Sequence, residues 1–474
     1  MAVKGMIGLE IHTYLITNEK LFCKCKSSRE RGLQGNLNIC PICTGCPGAK
    51  PMLPNEEAVK KAVMIGLMLN CKINKELKWQ RKHYDWPDMP KGFQNTISGA
   101  GATPVGVSGE FYGIRIRSMH LEEDPASWEP DSGKVDYNRS GLPLVEIITE
   151  PDFETSEEVM DWLKKLVHAL AYLKAVDANA GIKVDTNVNL PGKTERVEIK
   201  NINSIENIGK AIEYEFSRQE KEGGKTKETR RYDAVKGKTM VMRSKEEAED
   251  YRFISDPDLE PIVLSDKFIS ALREKLPESP EEKLDKFIKK HKIGKADALV
   301  LAQNIDIAEF FEKVTEKIDA KFALPWVTIE LLRHLNYNKA KLAGFDTENN
   351  ILLFSVPKTS ETKQEVSGIK AEHFVSLLEL VKKGKITELQ GKQLLNKFYP
   401  KSFEPSGNVK EKISDEKELT KVASGVIAKN GKAVSDYKAG DKNAFNFLMG
   451  QIMNVTERRA DFAVASKVLK KLLG

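Results

Sequence analysis

Apolar and polar residues alternate with period two over much of the first half of the chain. In the GLEIH stretch (8–12) and the residue before it, Ile7, Leu9 and Ile11 fall on one face of a strand. Glu10 and His12 fall on the other, and Gly8 leaves room beside them. GIRIR (113–117), PLVEIIT (143–149), GIKVDTNVNL (181–190) and RVEIKNIN (196–203) also alternate and are rich in β-branched residues. Gly and Pro separate them at GAKPMLPN, WPDMPKG, SGAGATPVG and EPDSGK. Helical periodicity interrupts from Asn55 to Leu69 and from Ser156 to Ala175. From about Ser265 the pattern turns helical. PESPEEKLDKFIKKHKI opens with Pro and acidic residues, as a helix N-terminus favours, and Trp326 to Leu342 continues in the same manner. KSFEPSGNVKEK, from Lys401, is polar with Pro and Gly and reads as a linker. Beyond it Leu419, Val422, Val426 and Ile427, then Phe445, Leu448, Met449, Ile452 and Met453, form core stripes at helical spacing. The pattern predicts an α+β fold, a largely antiparallel sheet followed by helices.

Size and charge sharpen this picture. A chain of 474 residues exceeds one compact core, so two to four domains are expected. No apolar run is long enough to span a bilayer and the N-terminus carries no signal-peptide pattern, so a cytoplasmic protein is expected. The net charge is +6, but from Pro405 to the C-terminus thirteen Lys/Arg face eight Asp/Glu. A basic terminal module suits a polyanion such as RNA, and equally a solvated Lys-rich helical surface.

Four constellations carry chemistry. Cys23 and Cys25 (CKC) with Cys40 and Cys43 (CPIC) have the spacing of a tetrahedral four-thiolate zinc site. A closed set of this kind serves folding rather than catalysis. Disulfides, an iron–sulfur cluster or a redox-active group are the alternatives, Cys46 is near enough to exchange in, and Cys71 reads as buried and inert.

Next, Glu122 follows His120 in MHLEED, and Glu146 lies within an apolar run in LVEII. A carboxylate there needs a partner or a metal. If Glu10, His12, Glu122 and Glu146 converge, oxygen ligands with one imidazole suit Mg²⁺ or Mn²⁺; ordinary ion pairs to Arg115, Arg117 or Arg139 are the alternative. Third, Lys183, Asp185, Asn187 and Asn189 share one strand face, and Glu198 and Lys200 share another, together a polar floor on which Lys200 would hold phosphate. Fourth, QRKHYDWPDMPKGFQ offers Tyr84 and Trp86 for stacking on a base and Arg81, Lys82 and Lys91 for phosphates, or else is a packed loop with exposed cations. There is no Walker A loop, no GxGxxG, no GxSxG elbow and no Ser/Gly-rich amidase segment.

These motifs occur in a recognisable order. GLEIH, CPIC-TG-CPGA, RKHYDWPDMPKGFQ, HLEEDP, VDYNRSGLPLVEIITEPD, VDTNVNL, RVEIKNINS and DYRFISDPDLEP resemble the B subunits of the aspartyl/glutamyl-tRNA(Asn/Gln) amidotransferases, over the whole length of the chain. The resemblance implies a catalytic cradle over 1–290 with a zinc knuckle, a helical domain over 291–404 and a helical, tRNA-binding YqeY-like tail over 405–474. It implies a protein that phosphorylates the side-chain carboxylate of Glu-tRNA(Gln) or Asp-tRNA(Asn) with ATP and Mg²⁺. Ammonia from a glutamine-hydrolysing amidase partner then displaces phosphate, and a small third partner ties the two into a heterotrimer. By the same resemblance Glu10, His12, Glu122 and Glu146 hold Mg²⁺, Cys23, Cys25, Cys40 and Cys43 hold Zn²⁺, and Asp185, Asn187, Glu198 and Lys200 line the ATP or acceptor-end floor. A non-catalytic, zinc-knuckle adaptor that holds tRNA for a partner is the alternative.

Overall fold

The computed structural model of the chain describes residues 4–28, 33–176, 182–202, 204–224, 226–244, 252–342, 365–407 and 411–474. Gly181, Asn203, Asp250, Tyr251 and the 408–410 part of the expected linker lie outside the described residues. The chain divides into two compact units, the first running to Pro280 and the second starting at Glu281.

Among the described residues the first unit is built on a 12-stranded sheet. Across its middle the strands run in the order Val197–Ile202, Ile182–Asn189, Met6–Tyr14, Pro143–Thr149, Ile114–Glu123 and Phe93–Thr96, each antiparallel to the next. Glu228–Asp233 then pairs in parallel with Val197–Ile202, and the helix Ile205–Glu222 makes the crossover that a parallel pair requires. The fold is therefore α+β with a mixed, mostly antiparallel sheet.

One face of this sheet is apolar. Ile7, Leu9, Ile11, Met119, Leu121, Val145, Ile147, Val184, Val188, Val197 and Ile199 bury into a single core with the helices Glu56–Met68, Ser156–Tyr172 and Ile205–Glu222. Each large side chain buried there contributes roughly 1.5–3 kcal/mol, so a one-residue slip of any central strand would exchange that gain for buried carboxylates. The two expected helices start where their caps place them. Asn55 accepts from the N–H groups of Glu57 and Ala58, and Thr155 forms a reciprocal capping box with Glu158.

Among its described residues the second unit is helical apart from the parallel pair Ala340–Leu342 and Glu365–Ser367, and these residues hold two separate cores. One centres on Phe287, Phe310, Phe311, Trp326, Phe374 and Phe398. The other lies among the four C-terminal helices, where Leu419, Val426, Leu448, Met449 and Ile452 are buried and Val422, Ile427, Phe445 and Met453 pack against them, as their spacing predicts.

Two expectations need correction here. The helix expected through Leu342 ends at Tyr337. A π-helical stretch at Trp326–Leu331 precedes its last turns, the Asn338 side-chain amide bonds back to the His334 carbonyl at 2.8 Å, and Lys339 turns left-handed at φ 49°. Ala340–Leu342 then becomes a strand because its partner lies beyond residue 364, which local periodicity does not reveal. The start of the expected linker is also held in place. Ser402 donates its N–H to the Gly368 carbonyl at 3.2 Å, and its hydroxyl lies 2.9 Å from His373 Nδ1.

Candidate active site and metal centre

The opposite face of the central sheet is polar, and strand register explains why. His12 lies across from Glu146 on one side and Lys183 on the other; Glu146 in turn faces His120. Glu10 lies across from Asp185, Gly8 from Asn187, Asn187 from Glu198, and Glu122 from Thr96. Side chains directly opposed across a sheet share its face. Glu10, His12, Glu122, Glu146, Asp185, Asn187 and Glu198 thus stand on one surface supplied by five neighbouring strands.

The contacts divide this surface into two groups. In the first, Glu146 lies between two imidazoles, with Oε2 2.7 Å from His120 Nδ1 and Oε1 3.4 Å from His12 Nε2. Burial works against its charge, but the two histidines overcome it and hold the carboxyl well below the usual range. Burial likewise disfavours the His12 imidazolium, yet Glu146, aided by Asp185 and Glu122, lifts it to about 9. Glu122 is 5% exposed and accepts from Thr96 Oγ1 at 2.5 Å and Gln94 Nε2 at 3.1 Å. Burial and the neighbouring Glu146 push its carboxyl upward.

In the second group, carboxylate oxygens of Glu10, Asp185 and Glu198 all lie within 4.8 Å of one another. Lys200 bridges two of them, 3.1 Å from Asp185 and 3.0 Å from Glu198. The Asn187 amide donates to Glu10 at 3.1 Å, while its Oδ1 is buried with no hydrogen-bond partner. Burial and then repulsion from Glu146, Glu198 and Asp185 raise the Glu10 carboxyl, and its charged form therefore favours a cation.

The expected quartet of Glu10, His12, Glu122 and Glu146 shares the face, but the tightest carboxylate cluster joins Glu10 to the floor residues instead. The alternative of arginine ion pairs holds for Asp124 and Glu150 of the same acidic runs, but not for Glu10, Glu122 or Glu146. Arg115 pairs with Asp152, Arg117 with Glu150 and Arg139 with Asp124. Glu150 lies beyond a register shift at Ile148/Thr149, where it pairs with Arg117 at 2.8 Å.

His120 is visible in MHLEED, but its sequence context alone gave it no role. Its two-residue offset from Glu122 on one strand was the available signal. Tyr14 had none, because its hydroxyl reaches Asp124 across the fold at 2.9 Å and receives Lys183 Nζ at 3.3 Å.

The cysteines form a second centre. Sulfurs of Cys23, Cys25, Cys40 and Cys43 all lie within 4.8 Å of one another, and Cys40 and Cys43 are 3.9 Å apart. All six cysteines are free thiols. A tetrahedral zinc with sulfurs at about 2.3 Å places its ligands about 3.8 Å apart, so the donor set fits. The neighbouring Cys23 and, more weakly, the Lys20 ammonium depress the Cys43 thiol to about 5, while burial lifts Cys25 to about 11. Cys46 is exposed beside Thr44 and stands outside the cluster; Cys71 is buried and its thiol is pushed up to about 11.

The basic and aromatic loop is more engaged than its composition suggests. Arg81 is held by Asp256 and Asp258 at 2.9 and 2.6 Å and lies 4.3 Å over the Phe93 ring. Lys91 pairs with Glu123 and Asn95. Trp86 is 47% exposed and meets Trp128 edge-on.

Comparison with known proteins agrees with this architecture. Residues 5–270 match the GatB/GatE catalytic domain, and residues 309–473 match the GatB domain. The chain is 41% identical to the aspartyl/glutamyl-tRNA(Asn/Gln) amidotransferase B subunit from Methanocaldococcus jannaschii, over 99% of this chain and 98% of that protein. It is 41% identical to the corresponding protein of Methanobrevibacter smithii (98% and 99%) and 40% identical to that of Methanopyrus kandleri (98% and 98%). Among the described residues no helix is long and apolar enough to cross a membrane.

Proposed function

The chain belongs to the family of aspartyl/glutamyl-tRNA(Asn/Gln) amidotransferase B subunits, and from that premise we propose that its polar sheet face activates a side-chain carboxylate esterified through its amino acid to tRNA. The substrate is Glu-tRNA(Gln), Asp-tRNA(Asn) or both. A carboxylate oxygen attacks the γ-phosphorus of ATP, ADP leaves, and an acyl phosphate forms. Ammonia then attacks the acyl carbon and inorganic phosphate departs, leaving the amide. An amidase partner releases the ammonia from glutamine, a small third partner completes the heterotrimer, and the complex works in the cytoplasm.

One observation carries this reading. Acidic and imidazole side chains from five neighbouring strands converge on a single sheet face whose reverse is apolar. Such a concentration of buried negative charge is costly unless cations share it. Glu10 stands between the two groups, so we assign magnesium to Glu10 with His12, Glu122 and Glu146 on one side and Asp185 and Glu198 on the other. The unpartnered Asn187 oxygen and the oxygen-rich donor set fit that ion. Magnesium supplies neutralisation of phosphoryl oxygens.

The chain's own groups do the rest. Lys200 directs its ammonium at Asp185 and Glu198, from where it would supply positive charge to a phosphate. His120 fixes one Glu146 oxygen, so that the other stays aimed toward His12. The four cysteines hold zinc away from the chemistry, and the basic tail binds the tRNA.

The test is ATP hydrolysis by the reconstituted complex. We expect turnover only when misacylated tRNA is present, and its loss in Glu10→Ala with tRNA binding retained. Tight tRNA binding with no turnover in the wild-type complex would leave the adaptor reading in its place.

A further inference from the structure

Lys20 is 1% exposed, among the most deeply buried large side chains of the protein. A buried ammonium needs its hydrogens and its charge satisfied. Lys20 Nζ donates to the Asn38 carbonyl at 2.9 Å and the Tyr137 carbonyl at 3.1 Å, and lies 3.5 Å from Cys43 Sγ. These contacts are two carbonyls and a thiol, with no carboxylate among them. The charge it faces is therefore that of the cysteine cluster, where four thiolates around one Zn²⁺ leave two negative charges uncompensated.

The same lysine joins the two halves of a seam. The 34–43 loop, which carries Cys40 and Cys43, is bound to the 136–141 loop at several points. Tyr137 N–H donates to Asn36 Oδ1 at 2.7 Å, Asn38 N–H to Asn138 Oδ1 at 2.8 Å, and the Ser140 hydroxyl to the Cys43 carbonyl at 2.7 Å. The second loop leads toward the polar face. Its Arg139 pairs with Asp124 at 2.8 Å, Asp124 accepts from Tyr14, and Tyr14 accepts from Lys183, whose register partner is His12.

We infer that Lys20 is a positioning residue that offsets one of the two excess negative charges of the metal-bound thiolate set and ties that set to the 136–141 loop, so that the metal centre orders the edge of the active face rather than a local knuckle alone. The inference rests on the proposed metal reading of the four cysteines. It also gives the cysteine cluster a wider role than local folding.

The test uses the full chain in its complex, with zinc content, the rate of zinc release to a chromophoric chelator, and amide hydrogen exchange over 134–142. Lys20→Met should bind one zinc but release it about 10- to 100-fold faster, the range typical for loss of a partner behind a metal ligand, and the loop should exchange faster. Lys20→Gln keeps donors without the charge. It should restore much of the loop's protection while zinc still leaves fast, and it carries the test if Lys20→Met does not fold. Wild-type release rates and exchange in both variants would overturn the inference. A wild-type protein without bound metal would instead overturn the metal reading beneath it.

Discussion

His12 shows how one side chain links stability, the proposed magnesium site and pH. Its imidazolium titrates near 9, above the ordinary 6.5, because Glu146 outweighs the cost of burial. A group raised in the folded state stabilises the fold fully below its unfolded value and loses that contribution as pH climbs through the folded value. The metal-free protein should therefore lose melting temperature between pH 6.5 and 9, and His12→Ala should flatten that slope; thermal denaturation in a chelator reads both. A histidine must also shed its proton to ligate a cation. Magnesium affinity, measured by calorimetry, should therefore rise with pH toward 9 by up to about tenfold per unit. A pH-independent affinity would remove His12 from the ligand set. Removing Lys200 poses a different problem at the same scale. Lys200→Met leaves Asp185 and Glu198 without their shared cation and should cost about 2 kcal/mol in denaturant unfolding without magnesium, with part of that loss recovered when magnesium is added.

At the scale of elements, the alternation of the first strand was legible at once. Ile7, Leu9 and Ile11 face the core, and Glu10 and His12 face the site. Which carboxylate meets which was not legible, because it depends on strand order. Asp185 and Glu198 lie near Glu10 only because Ile182–Asn189 pairs with Met6–Tyr14, a contact between segments far apart in the chain. His120 was visible in HLEED, but its partner Glu146 is fixed by the pairing of Ile114–Glu123 with Pro143–Thr149. The helix ending at Tyr337 escaped for the same reason, since the strand after it finds its partner far downstream. The crossover helix Ile205–Glu222 carries a buried charge of its own. Glu215 is fully buried and accepts from Arg218 at 2.6 Å, Thr239 at 2.8 Å and Gln219 at 3.1 Å. Glu215→Ala leaves Arg218 and Arg230 facing a void and should destabilise the first unit by about 3 kcal/mol in chemical denaturation, while a nearby exposed change such as Glu220→Ala should be near neutral.

At the scale of the whole molecule, one extended sheet separates two functions by its two faces. The apolar face builds the core of the first unit, and the polar face collects the carboxylates, imidazoles and Lys200. The helical second unit has its own cores and ends in a basic segment suited to a polyanion. On the proposed reading the polar face is where the substrate carboxylate is activated. The most direct measurement is transamidation by the complex reconstituted with its amidase and small partners, supplied with glutamine, ATP, magnesium and misacylated tRNA, comparing wild type with Glu146→Gln. Loss of at least about a hundredfold in amidated aminoacyl-tRNA and in ADP, with tRNA binding and glutaminase activity intact, is the expected result. Undiminished product from a folded Glu146→Gln complex would contradict it and return these carboxylates to ordinary structural pairing.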